Sequence, residues 1–289
     1  MLTIIVPSFN EERSVRGTFE ALGEVRGRID LPVEIVFVDD GSDDGTAEIL
    51  EELAAEGVRV IRHRVNRGYG AALKTGLRAA SGEYVGITDA DGTYPNDRFP
   101  EFMAAVREGG YDMVVGARTG ANARVPLVRR PAKWVLRWLA NFLTGRRIPD
   151  LNSGMRVMKR EAVERFIPIL PDGFSFTTTI TIAMMTNGYA VKFIPVDYAA
   201  RKGKSKIRPI RDTLNFIQLI CRTALYFNPL RVFLPLSAGL VLLAFMVLVG
   251  SWLLADRIMD VTFGVILMAA FIVLAIGLLA DLIDKRTQV

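Results

Sequence analysis

Sulfur and imidazole are almost missing from this chain of 289 residues, which has one cysteine, Cys221, and one histidine, His63. A single cysteine excludes an intrachain disulfide and argues against a cysteine-rich metal site, and a single histidine excludes a cluster of imidazole ligands. Acidic residues are missing between Arg118 and Pro149, and charge of either sign is missing from Val232 to Ala255. The opening Met1-Leu2-Thr3-Ile4-Ile5-Val6-Pro7 is short and has no basic start, so no cleavable leader is expected and the globular part is expected in the cytoplasm. What is abundant is apolar: 51% of residues, with mean hydropathy +0.28. That average hides a split near Arg231, with an ordinary globular mixture before it and mostly apolar chain after it. The first part is long enough for one α/β domain with a sizeable core. The net charge of +5 comes from local runs and says little about partners by itself.

Apolar runs and helical periodicity alternate through the first part. Strands are predicted at Leu2–Val6, Glu34–Val38, Val58–Ile61, Tyr84–Ile87, Met113–Gly116 and Val191–Val196, with a short one after Arg156. Helices are predicted from Asn10, as N-cap, towards Val25, around Ile49–Leu53, from Gly68 through Leu77, over Phe99–Val106 and over 174–186. The alternation implies a largely parallel sheet covered on both faces. Each polar cluster follows a strand, so all fall on one edge, where ligands of open α/β sheets bind.

One cluster stands out. Thr88-Asp89-Ala90-Asp91-Gly92 closes the fourth strand with two carboxylates one residue apart. Such a pair can hold a hard divalent cation that neutralises a diphosphate, although the same tripeptide also serves as a plain polar turn. Gly68-Tyr69-Gly70 lacks the third glycine of a dinucleotide fingerprint and sits in the third βα unit, which argues for a glycine-rich helix start and against a nicotinamide cofactor.

From Arg118 the chain turns basic and aromatic. Arg124, Arg129, Arg130, Lys133, Arg137, Arg146 and Arg147 interleave with Trp134, Trp138 and Phe142, as in a helix lying in a membrane interface; a solvated charged face is the plainer alternative. Nucleic acid is disfavoured as partner by the apolar tail. Arg201-Lys202-Gly203-Lys204-Ser205-Lys206 precedes a helical apolar repeat through Leu225, consistent with an amphipathic juxtamembrane helix. Val232–Ala255 and Val261–Ala280 are each long enough to span a bilayer. Basic residues flank both outer ends, so the domain and both termini are expected on the cytoplasmic side of the plasma (inner) membrane. The expected organisation is a domain over 1–209 with the interface helix within 118–147, a juxtamembrane helix over 210–230, and a two-span hairpin over 231–289.

Taken together, Val6-Pro7-Ser8-Phe9-Asn10-Glu11, Val38-Asp39-Asp40-Gly41-Ser42, Asp44-Gly45-Thr46, Asn66-Arg67-Gly68 and Asp89-Ala90-Asp91 resemble glycosyltransferase family 2. Val115-Gly116-Ala117-Arg118, Asp150-Leu151-Asn152-Ser153-Gly154, the basic run from Arg201 and the two apolar segments make the chain most similar to its polyprenyl-phosphate glycosyltransferases. The resemblance implies an A-type glycosyltransferase domain, Rossmann-like with a mostly parallel sheet, followed by interfacial and transmembrane helices. It implies inverting transfer of a monosaccharide from a nucleotide-diphospho-sugar, uridine preferred over guanosine, to undecaprenyl or dolichyl phosphate. It further implies Mg²⁺ or Mn²⁺ as cofactor and a homo-oligomer, a tetramer in the family.

By that resemblance Pro7, Phe9, Asn10, Glu11, Asp39, Asp40, Lys74, Asp89, Ala90 and Asp91 bind the donor. Asp91, with Asp89, holds the metal. Arg118, Arg129, Arg130, Ser153, Arg201 and Lys206 hold the acceptor phosphate, and Asp89, Asp91, Arg118 and Asp150 carry the chemistry. Gly92-Thr93 stand where the mannose synthases have Leu-Gln, so water or Thr93 would complete the metal shell. Two alternatives stay open: a membrane glycosyltransferase with a hydroxyl acceptor, which needs Asp150 as base, and a non-catalytic scaffold that binds nucleotide sugar.

Overall fold

The computed structural model describes residues 1–119, 137–138, 140–199, 229–254 and 260–287. The chain divides into two compact units, Met1–Leu219 and Ile220–Val289.

In the first unit, β1 (Leu2–Ser8), β2 (Val33–Asp39), β3 (Arg59–Arg62), β4 (Tyr84–Ile87), β5 (Met113–Ala117), β6 (Arg156–Lys159) and β7 (Val191–Pro195) form one sheet in the order β3-β2-β1-β4-β6-β5-β7. Only β6 runs against its neighbours; the other pairings are parallel. Every residue of β1 and β5 is buried. That is why these strands read as continuous apolar runs: a strand covered on both faces has no polar side to alternate with.

The longer described helices of this unit are α1 (Val15–Arg26), α2 (Thr46–Ala55), α3 (Tyr69–Ala79), α4 (Phe99–Arg107) and α5 (Phe176–Thr186). α1 buries Val15, Thr18, Leu22 and Val25, one stripe at helical spacing, into a core that includes Ile4, Phe37, Phe99 and Phe102. α3 lies close over β1 at Gly76, where a Cβ would stand 2.4 Å from Ile5 Cγ2. Asn10 is not the α1 N-cap. The helix begins at Val15 with Ser14 in the cap position, and Asn10, at φ +55°, is used elsewhere.

α5 is buried from Phe176 to Met185 although its Thr-Thr-Thr run favours strand. Burial wins because the hydroxyls are satisfied locally. Thr179 Oγ1 donates to Ser175 O (3.0 Å) and Thr181 Oγ1 to Thr177 O (2.7 Å), each one turn back.

β1 pairs with β2 on one side and β4 on the other, so the direction of winding switches at β1. The loops leaving β1 and β4 therefore diverge around a crevice, the usual ligand position in such sheets. Antiparallel β6 brings the segment before it, 150–155, to the same edge.

The second unit contains α6 (Leu230–Leu254) and α7 (Asp260–Thr287), with mean hydropathy 2.7 and 2.8 over their apolar windows. They touch at Phe245–Phe263 (5.6 Å between rings) and through Ser237 Oγ, which donates to Ala270 O at 2.9 Å. Their outward leucines, phenylalanines and Trp252 are exposed. Both helices are long and apolar enough to cross a bilayer.

Candidate active site

At the exits of β1 and β2 the two loops are joined by side chains. Asn10 Nδ2 donates to Asp43 Oδ1, Asp43 N–H donates to Asn10 Oδ1 (3.0 Å), Asn10 N–H to Ser42 Oγ (3.0 Å), and Glu11 N–H to Thr46 Oγ1 (2.8 Å). Pro7 is buried in β1 beside Val38, and Phe9 follows at the strand end. Asp39 and Asp40 are both buried and point to different tasks. Asp39 Oδ1 accepts from the N–H (3.0 Å) and hydroxyl of Ser42, closing its own turn. Its Oδ2 lies 3.3 Å from Arg62 Nε, an ion pair that lacks hydrogen-bond alignment. Asp40 faces the β3–α3 loop. It accepts from Arg67 N–H (3.0 Å) and Gly68 N–H (2.8 Å), and its Oδ1 meets His63 Nδ1 at 2.7 Å. The far ring nitrogen of His63 meets Thr75 Oγ1 at 2.9 Å, tying this network to α3.

The β4 turn is built differently. Ala90 is buried, and its carbonyl accepts from Thr18 Oγ1 of α1 (3.0 Å). The carboxylates on either side of it are half-buried. Asp91 Oδ1 accepts from Thr93 N–H (3.1 Å) and Thr93 Oγ1–H (2.6 Å), so Thr93 orients Asp91 from within the turn. Asp89 Oδ1 accepts from the Tyr69 hydroxyl at 2.9 Å. Tyr69 opens α3 and stacks on Phe174, which is exposed (5.6 Å, 18°). Burial first, then the Asp89 charge, raise the Tyr69 phenol well above its ordinary value, so it is a fixed donor.

On the other side stands a charge pair. Arg118, just beyond β5, grips Asp150 in a two-pronged contact: Nε to Oδ2 at 2.7 Å and Nη2 to Oδ1 at 3.0 Å, with its backbone N–H on Oδ2 at 3.1 Å. Burial alone would raise the Asp150 pKa. The Arg118 guanidinium and the N–H groups of Arg118 and Asn152 outweigh it, so the carboxyl titrates below its ordinary value. The guanidinium also lies over the Tyr198 ring (5.2 Å), and Tyr198 meets Tyr94 edge-on (5.2 Å). Tyr94 OH accepts the Gly154 N–H at 2.7 Å. Gly154 is packed against Asp89, where a Cβ would fall 2.8 Å from Oδ1. The 150–155 segment thus bridges the Asp89 turn and Arg118.

Several expected residues meet here: Asp89, Ala90, Asp91, Arg118, Asp150 and Ser153, whose buried hydroxyl lies 3.5 Å from Tyr94 OH. Lys74 is committed elsewhere, donating to Leu170 O at 3.1 Å and pairing with Asp172. Arg129, Arg130, Arg201 and Lys206 lie outside the described residues, as do most of the expected interface helix, the 210–228 part of the juxtamembrane helix and the loop over 255–259. Trp138 and Phe142 are described; they are exposed and stacked at 5.8 Å. Sequence reasoning missed Tyr69, Tyr94, Tyr198, His63 and Arg156. Tyr69 and Tyr94 had a signal in their positions, one at the glycine-rich helix start and one next to Thr93. Tyr198 had none.

Among the described residues no group of three or more His, Cys, Asp or Glu side chains could hold a metal. Two half-buried carboxylates on one turn do fit an ion of the Mg²⁺ or Mn²⁺ kind, which takes one or two carboxylates and fills its shell with substrate phosphate and water.

This sheet is of the A-type glycosyltransferase fold, as a solved structure shows. Glucosyl-3-phosphoglycerate synthase from Mycobacterium tuberculosis, crystallised with Mn²⁺, uridine-diphosphate-glucose and phosphoglyceric acid, superposes with a TM-score of 0.61 at 21% identity over 78% of this chain and 79% of that one. Residues 3–167 match the model of glycosyl transferase family 2, and the chain belongs to that family. It is 32% identical to the dolichyl-phosphate hexose transferase of Haloferax volcanii over 72% of this chain and 87% of that protein. It is 31% identical to the undecaprenyl-phosphate 4-deoxy-4-formamido-L-arabinose transferase of Serratia proteamaculans over 62% of this chain, spanning 57% of that relative's length.

Proposed function

We propose that this glycosyltransferase moves a monosaccharide from a nucleotide-diphospho-sugar to a polyprenyl phosphate, giving a phosphate-linked lipid sugar. The observation that carries the reading is the state of Asp150. A hydroxyl acceptor needs a base, and a base should be free and near neutral in pKa. Asp150 is clamped by Arg118 and titrates low, which suits an acceptor that is already an anion. The names of the relatives from Haloferax and Serratia, both transferases of polyprenyl-phosphate type, support the same acceptor.

In this reading Pro7, Phe9, Asn10, Glu11, Asp39 and Asp40 form the donor-side wall, with Asp39 and Asp40 keeping its two loops in place. Asp89 and Asp91 face the diphosphate, and a divalent ion bound with them would neutralise charge on the leaving group. Tyr69 and Thr93 fix the two carboxylates. Arg118 presents its guanidinium to the phosphates, held in direction by Asp150 and Tyr198. Ala199 N–H donates to Thr93 O at 3.0 Å, so the chain leaves the β4 turn two residues before Arg201, which with Lys206, Arg129 and Arg130 is proposed to hold the lipid phosphate. Attack by a phosphate oxygen forms the new glycosidic bond as the bond to the nucleotide diphosphate breaks, in one displacement with inversion. A uridine donor is preferred; a neighbour of the same fold was crystallised with Mn²⁺ and uridine-diphosphate-glucose. The two apolar helices anchor the domain at the cytoplasmic face, consistent with basic residues before the first and after the second. Assembly as a homo-oligomer is part of the proposal.

The test is a panel of labelled nucleotide sugars given to membranes containing the protein and undecaprenyl phosphate, with and without Mg²⁺ or Mn²⁺. Label entering lipid from one donor only, and only with metal, is the expected result. No lipid-linked product from any donor would overturn the reading.

A further inference from the structure

Arg156 is the largest of the fully buried side chains, at 0% exposure. Its hydrogen-bond acceptors among the described residues are all neutral. Nη2 donates to the Ser153 carbonyl, Nη1 to the Thr177 carbonyl and the Thr181 hydroxyl (both 3.2 Å), and Met113 Sδ lies at 3.8 Å. Nε is buried without a partner, and among the described residues no carboxylate lies within ion-pair distance. Burial lowers its pKa to about 10, which leaves it charged at neutral pH. A buried charge with incomplete hydrogen bonding opposes folding, and an apolar residue of similar volume would pack as well. Packing therefore does not explain an arginine here.

Position offers an explanation. Arg156 begins β6 at the catalytic edge, and its Nη2 holds the carbonyl of Ser153. The next residue, Gly154, lies against Asp89 and donates to Tyr94 OH. Asp89, Asp150, Tyr69 and Tyr94 all lie within its electrostatic reach. Asp150 already has Arg118 as counter-charge. Arg156 is a second cation in the field of the same site, shielded from water, where charge acts over longer distances than at the surface.

We infer that Arg156 is a positioning residue of the transfer site that acts through its field: a buried charge, held under the Ser153–Gly154 turn, that raises the local potential for incoming phosphate anions. This rests on the proposed reading, in which Asp89 and Asp91 face the donor diphosphate. It has a consequence of opposite sign for two ligands. Removing the charge while keeping the volume should weaken an anion and strengthen a cation at the same edge, whereas a turn that merely loosens should weaken both.

The experiment uses the full chain in detergent and three variants: Arg156→Met, Arg156→Lys and Thr181→Val. UDP binding without metal is measured by calorimetry, free Mn²⁺ by paramagnetic resonance, and kcat and donor KM with membranes and undecaprenyl phosphate. For Arg156→Met, UDP affinity is expected to fall about tenfold, Mn²⁺ affinity to rise about threefold and kcat to fall at least about tenfold. Arg156→Lys should keep both affinities within about threefold of the parent, and Thr181→Val, which removes one neutral acceptor, should leave both unchanged. If Arg156→Met does not fold, Arg156→Gln is read in the same way. The inference is overturned if UDP and Mn²⁺ affinities fall together or do not move, or if the lysine variant matches the neutral one. Asp91→Asn separates the two levels: wild-type Mn²⁺ binding in that variant would defeat the reading of the site itself, whatever Arg156 does.

Discussion

Two aspartate pairs close two parallel strands at one edge of the sheet, and the fold uses them in different ways. Asp39 ends β2 and Asp40 follows it; both are buried, 1% and 3% exposed, and three of their four carboxylate oxygens meet Ser42, His63, Arg67 and Gly68. Asp89 and Asp91 follow β4, are half-buried, and are each oriented by a hydroxyl, Tyr69 or Thr93. The first pair ties loops together, and the second is the pair proposed to face a ligand. The difference comes from the surroundings: backbone N–H groups of a neighbouring loop converge on Asp40, whereas the N–H and hydroxyl that orient Asp91 come from Thr93 of its own turn.

That contrast can be broken most severely at Asp91. Asp91→Asn keeps one oxygen for Thr93 and removes the charge, so transfer should fall about a thousandfold while stability stays within about 0.5 kcal/mol of the parent. Comparable losses of stability and activity would place Asp91 with the structural pair. Asp40→Asn should do the reverse. The amide brings donors to a place where backbone N–H groups already point, so denaturant titration should show a loss of about 1–3 kcal/mol, with much smaller loss of turnover per folded molecule.

The Arg118–Asp150 charge pair sharpens the comparison through pH. Asp150 has its folded pKa below its unfolded one, so its contribution to stability is complete above the ordinary carboxylate value of about 3.9 and is lost as pH falls through the lower, folded value. Thermal unfolding should be insensitive to this group from pH 7 to about 5 and weaken below about 4. Asp150→Asn should remove that part of the acid sensitivity; an identical acid limb in the variant would contradict the assignment. The smallest effect belongs to Tyr69→Phe. Loss of one hydrogen bond to Asp89 should lower kcat by about three- to tenfold with the fold intact, as read by initial rates beside circular dichroism.

Much of this architecture was legible in the sequence because buried parallel strands leave unbroken apolar runs and turn chemistry marks their ends. The β4 turn and Arg118 were legible because each lies next to a strand end, and Asp150 because it opens the Asp150-Leu151-Asn152-Ser153-Gly154 motif of the family. Asn10 was misread because a residue suited to capping is equally suited to the left-handed turn it adopts, and only the nearby Asp43 decides between them. The tyrosines around Asp89 and Arg118 arrive from α3, from the β4 turn and from beyond β7, so their convergence is a property of sheet order that local pattern does not carry. Arg156 was passed over for a similar reason: only the fold shows that this strand-start arginine is fully buried with neutral hydrogen-bond acceptors.

The central claim is that the acceptor is a phosphate that needs no base. The most direct measurement gives the enzyme undecaprenyl phosphate and undecaprenol side by side, with one labelled donor, and identifies the lipid products by mass. A phosphate-linked monosaccharide is expected from the first and no product from the second. Equal transfer to undecaprenol, abolished by Asp150→Asn, would contradict it.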